Sequence, residues 1–290
     1  MASLIGEITG ESVETVIGKL REETRHPGIT VTRDFARSGG LPYEWGPELE
    51  AFYSKTTAFL YELAVWNRNH AKSGMRKWVL SHVATINRPL DILGVGDGLG
   101  FDCVALARKH HRVTYFELPG PSEQFARKLF ERTGLDIAVL TDLSAIPKSA
   151  YDAIICFDVL EHVPDPPAVV RSLASYLRPG GLLYVSAPFY MILPRYPTHL
   201  RSNRKFSGSL KLFREAGLKL VAGRMSWYPL VFHKASHRVD AEGVATAMES
   251  AVTGGPLRPR WSAGLQAVGR VAAWPFWLVH LWRWAANRAM

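Results

Sequence analysis

The residues best suited to acid and base chemistry lie in the segment "FDVLEHVPD", which contains Asp158, Glu161 and His162. Pro166 suits the first turn of a helix, so the residues before it should form a loop after a buried strand. An imidazole titrates near neutral pH, which makes His162 a candidate general base. A second histidine, His199 in "PTHLRSN", is a candidate to join it.

A glycine-rich segment, "DILGVGDGLGFD", runs from Asp91 to Asp102. It follows an apolar run and precedes a helical pattern, an arrangement that forms a binding site for a nucleotide-like ligand at a helix N-terminus. A dinucleotide fingerprint would require a glycine at Leu99 or at Phe101. The dinucleotide frame therefore fails.

Glu117 in "RVTYFELPGP" follows Gly98 by nineteen residues, at the end of the next predicted strand. A carboxylate there can accept hydrogen bonds from both ribose hydroxyls. Enzymes that bind NAD have an acid at the same place. Glu117 therefore predicts that the ligand contains adenosine, but it does not identify the reaction that the protein catalyses.

Short apolar runs alternate with helical patterns from Arg88 onward, which predicts an α/β fold with a doubly wound, mainly parallel sheet. We predict an N-terminal helical cap over residues 1–87, a ligand-binding domain over 88–235, and a linker with a basic, Trp-rich helical tail over 236–290. The cap is expected to contain one helix over "ELEAFYSKTTAFLYELAVWNRN" and another over "GMRKWVLSHVATI". Tyr53 and Tyr61 in the first of them are candidates to line a pocket, although such helical faces are more often core.

The spacing Gly94-x-Gly96-x-Gly98, Glu117, Asp142 after the third strand, and the block "YDAIICFDVLEHVPDPPAVVRSLASYLRPGGLLYVSAP" together resemble class I S-adenosylmethionine-dependent methyltransferases over about half of the chain. The resemblance implies a Rossmann-like seven-stranded sheet and S-adenosylmethionine as cofactor. It also implies that the adenine amino group donates to Asp142 beside Leu143. The residues it assigns to the cofactor are Gly94, Gly96, Asp97, Gly98, Glu117, Leu118, Asp142, Leu143, Phe157 and Asp158.

The sequence departs from the family at one position. The family usually has an acid two residues before the first glycine, and here that residue is Ile92. A bulge could turn Asp91 toward the ligand, or Asp97 could contact the ammonium group of the cofactor. Both alternatives stay open at this stage.

Methyl transfer from a sulfonium is an in-line displacement in which the protein mainly aligns the reactants and excludes water. A base is needed when the acceptor loses a proton, and the candidates for catalytic roles are His162, Asp158, Glu161 and His199. No metal is predicted. As an alternative, the order Asp158-x-x-Glu161-His162 with His199 resembles relatives that bind a divalent ion, including small-RNA 2′-O-methyltransferases and ubiquinone-pathway O-methyltransferases. A purely structural His162 is the third option.

The acceptor is expected to be a small molecule, a saccharide or a lipid-linked molecule that is methylated on a hydroxyl. The formal charge of +9 favours an acidic partner. The loop "FYMILPRYPTHLRSNRKFS" carries Arg195, Arg201 and Arg204, which suit a phosphate or carboxylate. RNA is the second acceptor class, and a non-catalytic scaffold that binds the cofactor is the third alternative.

The C-terminal tail is apolar, aromatic and basic, with an uncharged run of twelve residues from Val271 to Trp282. About 20 residues are needed to span a bilayer, so the tail is expected to lie in the membrane interface or to pack on protein. The first twenty residues lack the pattern of a secretory signal. Cys103 and Cys156 lie in apolar stretches typical of free thiols. We therefore expect a cytoplasmic protein, with peripheral contact to the inner membrane face as an alternative.

Overall fold

The computed structural model describes residues 1–223 and 229–235. Its α-helices are α1 (Ala2–Thr9), α2 (Val13–Arg25), α3 (Ile29–Phe35), α4 (Pro47–Lys55), α5 (Ala58–Trp66), α6 (His70–Ala84), α7 (Phe101–Ala107), α8 (Pro121–Thr133), α9 (Pro166–Tyr176) and α10 (Lys211–Glu215). Its strands are β1 (Asp91–Val95), β2 (Arg112–Phe116), β3 (Ile137–Leu140), β4 (Tyr151–Phe157), β5 (Leu177–Ser186), β6 (Leu218–Gly223) and β7 (Leu230–Lys234).

The strands form one seven-stranded sheet in the order β3-β2-β1-β4-β5-β7-β6. The first five positions pair in parallel, and β7 pairs antiparallel with both β5 and β6. The predicted α/β class and doubly wound sheet are confirmed. The strand order reverses between β1 and β4, and ligands bind beyond the carboxyl ends of the strands at such a point.

The sheet is covered on both faces, which explains why its central strands are almost uniformly apolar. Every residue of β4 is buried. Residues of β4 pack alternately into two hydrophobic clusters, with Ile155 in one and Ile154 in the other. This two-sided burial is the pattern of a parallel sheet between helical layers.

Helices α1 to α6 precede the sheet, in the region predicted to form the cap; α6 packs on the sheet through Met75, Val79 and Val83. The expected single helix over residues 48–69 is wrong: α4 ends at Lys55 and α5 begins at Ala58. Thr56 makes this break, since its hydroxyl donates to Asp34 and accepts from the backbone N–H of Ala58 at 3.0 Å. The helices α1 to α3 were not predicted, and the domain boundary at residue 87 stays a prediction.

Helix α5 joins the cap to the rest of the protein. It packs beside α2, α3 and α8, and its residue Leu60 shares a hydrophobic cluster with Leu99 and with Phe125 of α8. The cap therefore lies next to the turn that follows β1, at the carboxyl edge of the sheet.

The predicted linker and tail, residues 236–290, lie outside the described residues. Within residues 1–223 and 229–235, no helix has both the length and the hydropathy required to cross a bilayer. Cys103 and Cys156 are buried and free, as predicted.

Candidate active site

The glycine-rich turn begins two residues later than the sequence pattern suggests. Gly94 lies inside β1, paired with Tyr115 and Ile155, and the turn starts after Val95, where the backbone N–H of Gly96 donates to the carbonyl of Phe116 at 2.9 Å. The turn glycines are therefore Gly96, Gly98 and Gly100, with φ of 67°, 59° and 77°.

Gly98 shows why a side chain is excluded from this turn. Its positive φ is unfavourable for residues with a Cβ, and a Cβ there would lie 2.5 Å from Cδ1 of Leu63. The turn therefore lacks side chains partly because the cap packs against it. This packing could not be predicted from the sequence.

The two acids considered for the ammonium group of the cofactor have other roles. The register of β1 is regular, so no bulge redirects Asp91; its carboxylate pairs with Arg112 and Arg178 at the opposite end of the strand. Asp97 accepts from the backbone N–H groups of Asp102 and Cys103, at 3.2 and 2.8 Å, and so caps α7. The expectation of a bulge that redirects Asp91 is therefore wrong, whereas the contact of Asp97 with the ammonium group stays a prediction. In the observed frame, Gly94 stands at the family's acidic position in place of Ile92, which is fully buried.

Glu117 faces the turn as predicted. Its carboxylate accepts from the backbone N–H groups of Gly98 at 3.0 Å and Leu118 at 3.1 Å. Burial raises the pKa of Glu117 to about 7, against the opposing effect of these two hydrogen bonds. The side chain is therefore placed to bind a sugar diol at the end of β2.

An open apolar surface lies beside Glu117. Leu118 is 54% exposed and Leu143 is 56% exposed, which is unusual for leucines in a well-packed protein. The nearby Asp142 is exposed and accepts from the backbone N–H and hydroxyl of Ser144, at 2.8 and 2.6 Å. Two exposed leucines and a carboxylate suit a flat, amino-bearing ring, which is the role assigned to them for adenine.

A buried ion pair that the sequence analysis missed lies behind the turn. Lys72 of α6 contacts Asp102 at 2.9 Å, and its ammonium lies 5.0 Å from the centre of the Phe157 ring. Arg76 also pairs with Asp102, at 2.5 Å. Burial lowers the pKa of Lys72, but the carboxylates of Asp102, Asp158 and Asp97 outweigh it and raise the pKa. Nothing in the local sequence of α6 signals this pairing.

Asp158 follows β4 directly and has φ of 58°, a left-handed conformation that is uncommon for residues other than glycine. Its carboxylate accepts from Nε1 of Trp66 at 3.2 Å and from Oγ of Ser186 at 3.1 Å. Asp158 thus connects helix α5 of the cap with the end of β5.

Glu161, His162 and His199 form a group of potential metal ligands, with one atom from each lying within 4.8 Å of the others. Asp158 does not belong to this group, which corrects the four-residue metal set considered from the sequence. Tyr53 completes the surroundings: its hydroxyl lies 2.9 Å from Nδ1 of His162.

The cluster has unused hydrogen-bonding capacity. Glu161 is 1% exposed and neither of its carboxylate oxygens has a hydrogen-bond partner among the described residues; Nδ1 of His199 is also unpaired. Nδ1 of His162 lies 3.2 Å from the carbonyl of Thr198, which can only accept, so Nε2 keeps its lone pair. That Nε2 lies 3.9 Å from Oε1 of Glu161.

Burial dominates the protonation of the cluster. It lowers the pKa of His162 to about 4 and lowers that of His199 well below its usual value. Burial, together with the charge of Asp158, raises the pKa of Glu161 well above 4.5. Both imidazoles are therefore neutral at pH 7, and Glu161 is a stronger base than an ordinary glutamate.

A cavity of about 440 Å³ connects the cap with this cluster. The β4 and β5 ends contribute Asp158, Glu161, His162 and Ser186, and the cap contributes Glu62, Phe59 and Trp66. Tyr53, predicted as a candidate, reaches His162, whereas the hydroxyl of Tyr61 donates to Glu11 within the cap at 2.6 Å. The volume is in the range of small-molecule sites.

The loop after β5 contributes fewer arginines to the cavity than expected. Arg195 lines it, at an exposed position, with its guanidinium 5.0 Å from the centre of the Tyr196 ring. Arg201 instead lies over Tyr43, at 5.5 Å. Arg204 is not among the described residues that line the cavity.

Residues 67–248 match the model of a family described as a methyltransferase domain. This match covers more than half of the chain, so the protein belongs to that methyltransferase family. Its cofactor is S-adenosylmethionine, as the site at the ends of β1 and β2 also indicates.

The curated relatives are O-methyltransferases by name. A ubiquinone biosynthesis O-methyltransferase of Xanthomonas axonopodis pv. citri is 32% identical over 149 residues, which are 44% of this chain and 62% of the relative. One from Xylella fastidiosa (strain M23) is 34% identical over 143 residues, 48% of this chain and 58% of the relative. The chain thus spans about three fifths of the length of these relatives.

Two similar solved structures are also methyltransferases by title. The 1,6-didemethyltoxoflavin-N1-methyltransferase of Burkholderia thailandensis, solved with S-adenosylhomocysteine, is 16% identical; the match covers 72% of this chain and 89% of that chain, with a TM-score of 0.47. An S-adenosylmethionine-dependent methyltransferase from Aquifex aeolicus is 14% identical, covering 59% and 95%, also with a TM-score of 0.47.

Proposed function

We propose that this protein transfers a methyl group from S-adenosylmethionine to a hydroxyl of a small molecule. The observation that supports this most directly is the cavity between the cap and the ends of β4 and β5, which is lined by the Glu161–His162–His199 cluster. The names of the curated relatives favour oxygen as the methylated atom.

The geometry assigns distinct roles to the cluster. Glu161 is the better proton acceptor, because burial raises the pKa of its carboxyl well above the usual value and lowers the pKa of His162 to about 4. His162 and His199, both neutral, orient the acceptor hydroxyl by hydrogen bonds from or to their rings. Asp158, held by Trp66 and Ser186, supports the loop that carries them.

The remaining catalytic contribution is alignment in a water-poor site. Gly96, Gly98 and Glu117 would hold the cofactor, and the cap helix α5 covers the turn after β1 through Leu63. An acceptor in the cavity would lie on the side of the cap. A displacement of this kind gains rate chiefly from holding the two reactants in line.

A divalent ion is a second candidate for this site, favoured by the unpaired atoms of Glu161 and His199. The donor set fits, because one carboxylate and two neutral imidazoles are ligands that divalent transition metals accept. Glu161, His162 and His199 would hold the ion. When bound, it would supply Lewis-acid polarisation of the acceptor hydroxyl.

Equilibrium dialysis with Zn²⁺ or Mn²⁺ tests the metal alternative without an activity readout. If the site takes an ion, the protein binds one equivalent, and His199→Ala loses it while His111→Ala keeps it. Absence of stoichiometric binding would leave the metal-free roles.

A cavity with acidic lining residues is a poor site for a phosphate-bearing RNA strand, and this favours the small-molecule acceptor over RNA. Cytoplasmic location and membrane contact through residues 236–290 stay predictions. Liposome flotation before and after deletion from Leu265 onward checks the membrane contact.

The test of the proposed function is methyl transfer from radiolabelled S-adenosylmethionine to phenols, catechols and a lipid extract. We expect transfer to at least one hydroxyl acceptor. Glu161→Gln should lower kcat by about 100-fold or more and change the Kd for S-adenosylhomocysteine by less than about twofold. The exposed Glu131→Gln is the matched control. Binding of the cofactor product without transfer to any acceptor would favour the scaffold alternative, and equal kcat for Glu161→Gln would remove its role as base.

A further inference from the structure

The cavity is unusually acidic for a site that takes a neutral apolar acceptor. Four of its described lining residues are carboxylic acids: Glu23, Glu62, Asp158 and Glu161. The positively charged residue among the described lining residues is Arg195, which is exposed and lies over the Tyr196 ring. The lining therefore supplies little positive charge to balance these acids.

Two of the four acids are satisfied by the protein. Glu23 accepts from the backbone N–H groups of Gly28 and Thr30 and from the Thr30 hydroxyl. Asp158 accepts from Trp66 and Ser186. Glu161 lacks a partner, but it lies in the catalytic cluster, where the proposed function gives it a role.

Glu62 is the remaining acid of the cavity, with neither a partner nor a catalytic role. It lies on α5, lines the cavity, and has no hydrogen bond or ion pair with any described residue. Burial, with a smaller contribution from the charge of Glu23, raises its pKa to about 8. The Glu62 side chain is partly exposed at the cavity wall, and ionisation of a carboxyl there is unfavourable unless a cationic ligand compensates the charge.

The neighbours of Glu62 suit an organic cation. Phe59 and Trp66 lie on the same helix at spacings of three and four residues, and both line the cavity, as does Tyr196. Aromatic faces attract cations through their quadrupoles, and a carboxylate adds an ion pair. A prenyl or other hydrocarbon chain in the same place would instead leave Glu62 buried without a partner.

We propose that the acceptor of this enzyme carries a protonated amine that pairs with Glu62, with its carbon skeleton against Phe59, Trp66 and Tyr196. The inference rests on the proposed function, because it concerns the molecule that is methylated. Glu62 is then a specificity-determining residue at the end of the cavity formed by the cap, away from the reacting hydroxyl.

Binding of simple probes tests the proposal independently of methyl transfer. Phenethylammonium, 2-phenylethanol and 3-phenylpropionate share a skeleton and differ in charge. We expect isothermal titration to show phenethylammonium binding at least tenfold more tightly than 2-phenylethanol, with 3-phenylpropionate the weakest. A tenfold ratio corresponds to about 1.4 kcal/mol.

Three variants assign the preference to its residue. Glu62→Gln should reduce the ratio to about threefold or less, and Glu62→Lys should reverse the order in favour of 3-phenylpropionate. Glu50→Gln, an exposed glutamate of the same cap, should keep the full ratio. Circular dichroism and the Kd for S-adenosylhomocysteine report whether each variant is folded.

Three outcomes of these titrations would contradict the cation site. Equal binding of the three probes, no detectable binding of the cation to folded protein, or an unchanged ratio in Glu62→Gln overturns the proposal. A second set, dopamine against 4-ethylcatechol, is measured for methyl transfer as well. If dopamine binds preferentially but neither catechol is methylated, the cation site stands and O-methylation of catechols fails.

Discussion

The affinity for the cofactor should depend on the ionisation of Glu117, because only the carboxylate can accept hydrogen bonds from both ribose hydroxyls. With a pKa of about 7 in the free protein, about one tenth of the Glu117 side chains are ionised at pH 6 and about nine tenths at pH 8. Apparent affinity scales with the competent fraction. The Kd for S-adenosylhomocysteine should therefore fall about tenfold between pH 6 and pH 8.

Glu117→Gln should remove this slope and weaken binding at pH 8 by about 30-fold. An amide oxygen still accepts one of the two hydrogen bonds, and a hydrogen bond to a charged group contributes roughly 1.5–3 kcal/mol. Isothermal titration at several pH values measures both effects, with Glu131→Gln as the control of unchanged slope. Asp97 also has a pKa raised to about 7, by burial and by the charge of Asp102. A slope that persists in Glu117→Gln would assign the titration to Asp97 or another group and refute the reasoning.

Three further predictions concern the residues around the site. Tyr53→Phe removes the hydroxyl that contacts the His162 ring, so kcat in steady-state assays should fall about 3- to 10-fold. The Kd for S-adenosylhomocysteine, measured by titration, should stay unchanged. An unchanged kcat would contradict a role for this hydroxyl. Lys72→Met leaves a buried carboxylate with one partner fewer and should lower the free energy of unfolding by about 3 kcal/mol in urea titration; a loss below about 0.5 kcal/mol would be inconsistent with a buried pair. Gly98→Ala should weaken cofactor binding and lower the free energy of unfolding together, because the positive φ and the Leu63 side chain both oppose a Cβ. Gly134→Ala, also at positive φ but with open space around it, should lower the free energy of unfolding by only about 1–2 kcal/mol. Equal losses of stability in the two variants would contradict the packing explanation.

The sequence predicted the sheet well because its strands are short apolar runs between helical patterns, and burial on both faces leaves that signature in β4. Glu117 could be predicted from its place at the end of the second strand, whereas Leu118 and Leu143 followed from the resemblance to the methyltransferase family. The turn frame was misplaced because alternating glycines do not show where β1 ends; the hydrogen bond of Gly96 to the second strand decides that.

The side chains that the sequence analysis missed contact partners far along the chain. Trp66 and Asp158 are 92 residues apart, and Lys72 and Asp102 are thirty apart, so no local pattern indicates either contact. The sequence did not identify Glu62 as a functional residue, because a single glutamate on an amphipathic helix is normally exposed to solvent. Its importance arises only when the cap closes the cavity around it.

Helix α5 borders the sites of both substrates through three side chains between residues 62 and 66. Leu63 rests on the turn that faces the cofactor, Trp66 bonds to the loop of Asp158, and Glu62 faces the acceptor cavity. Because one helix borders both compartments, a substitution that shifts α5 should change the binding of the cofactor and of the acceptor together.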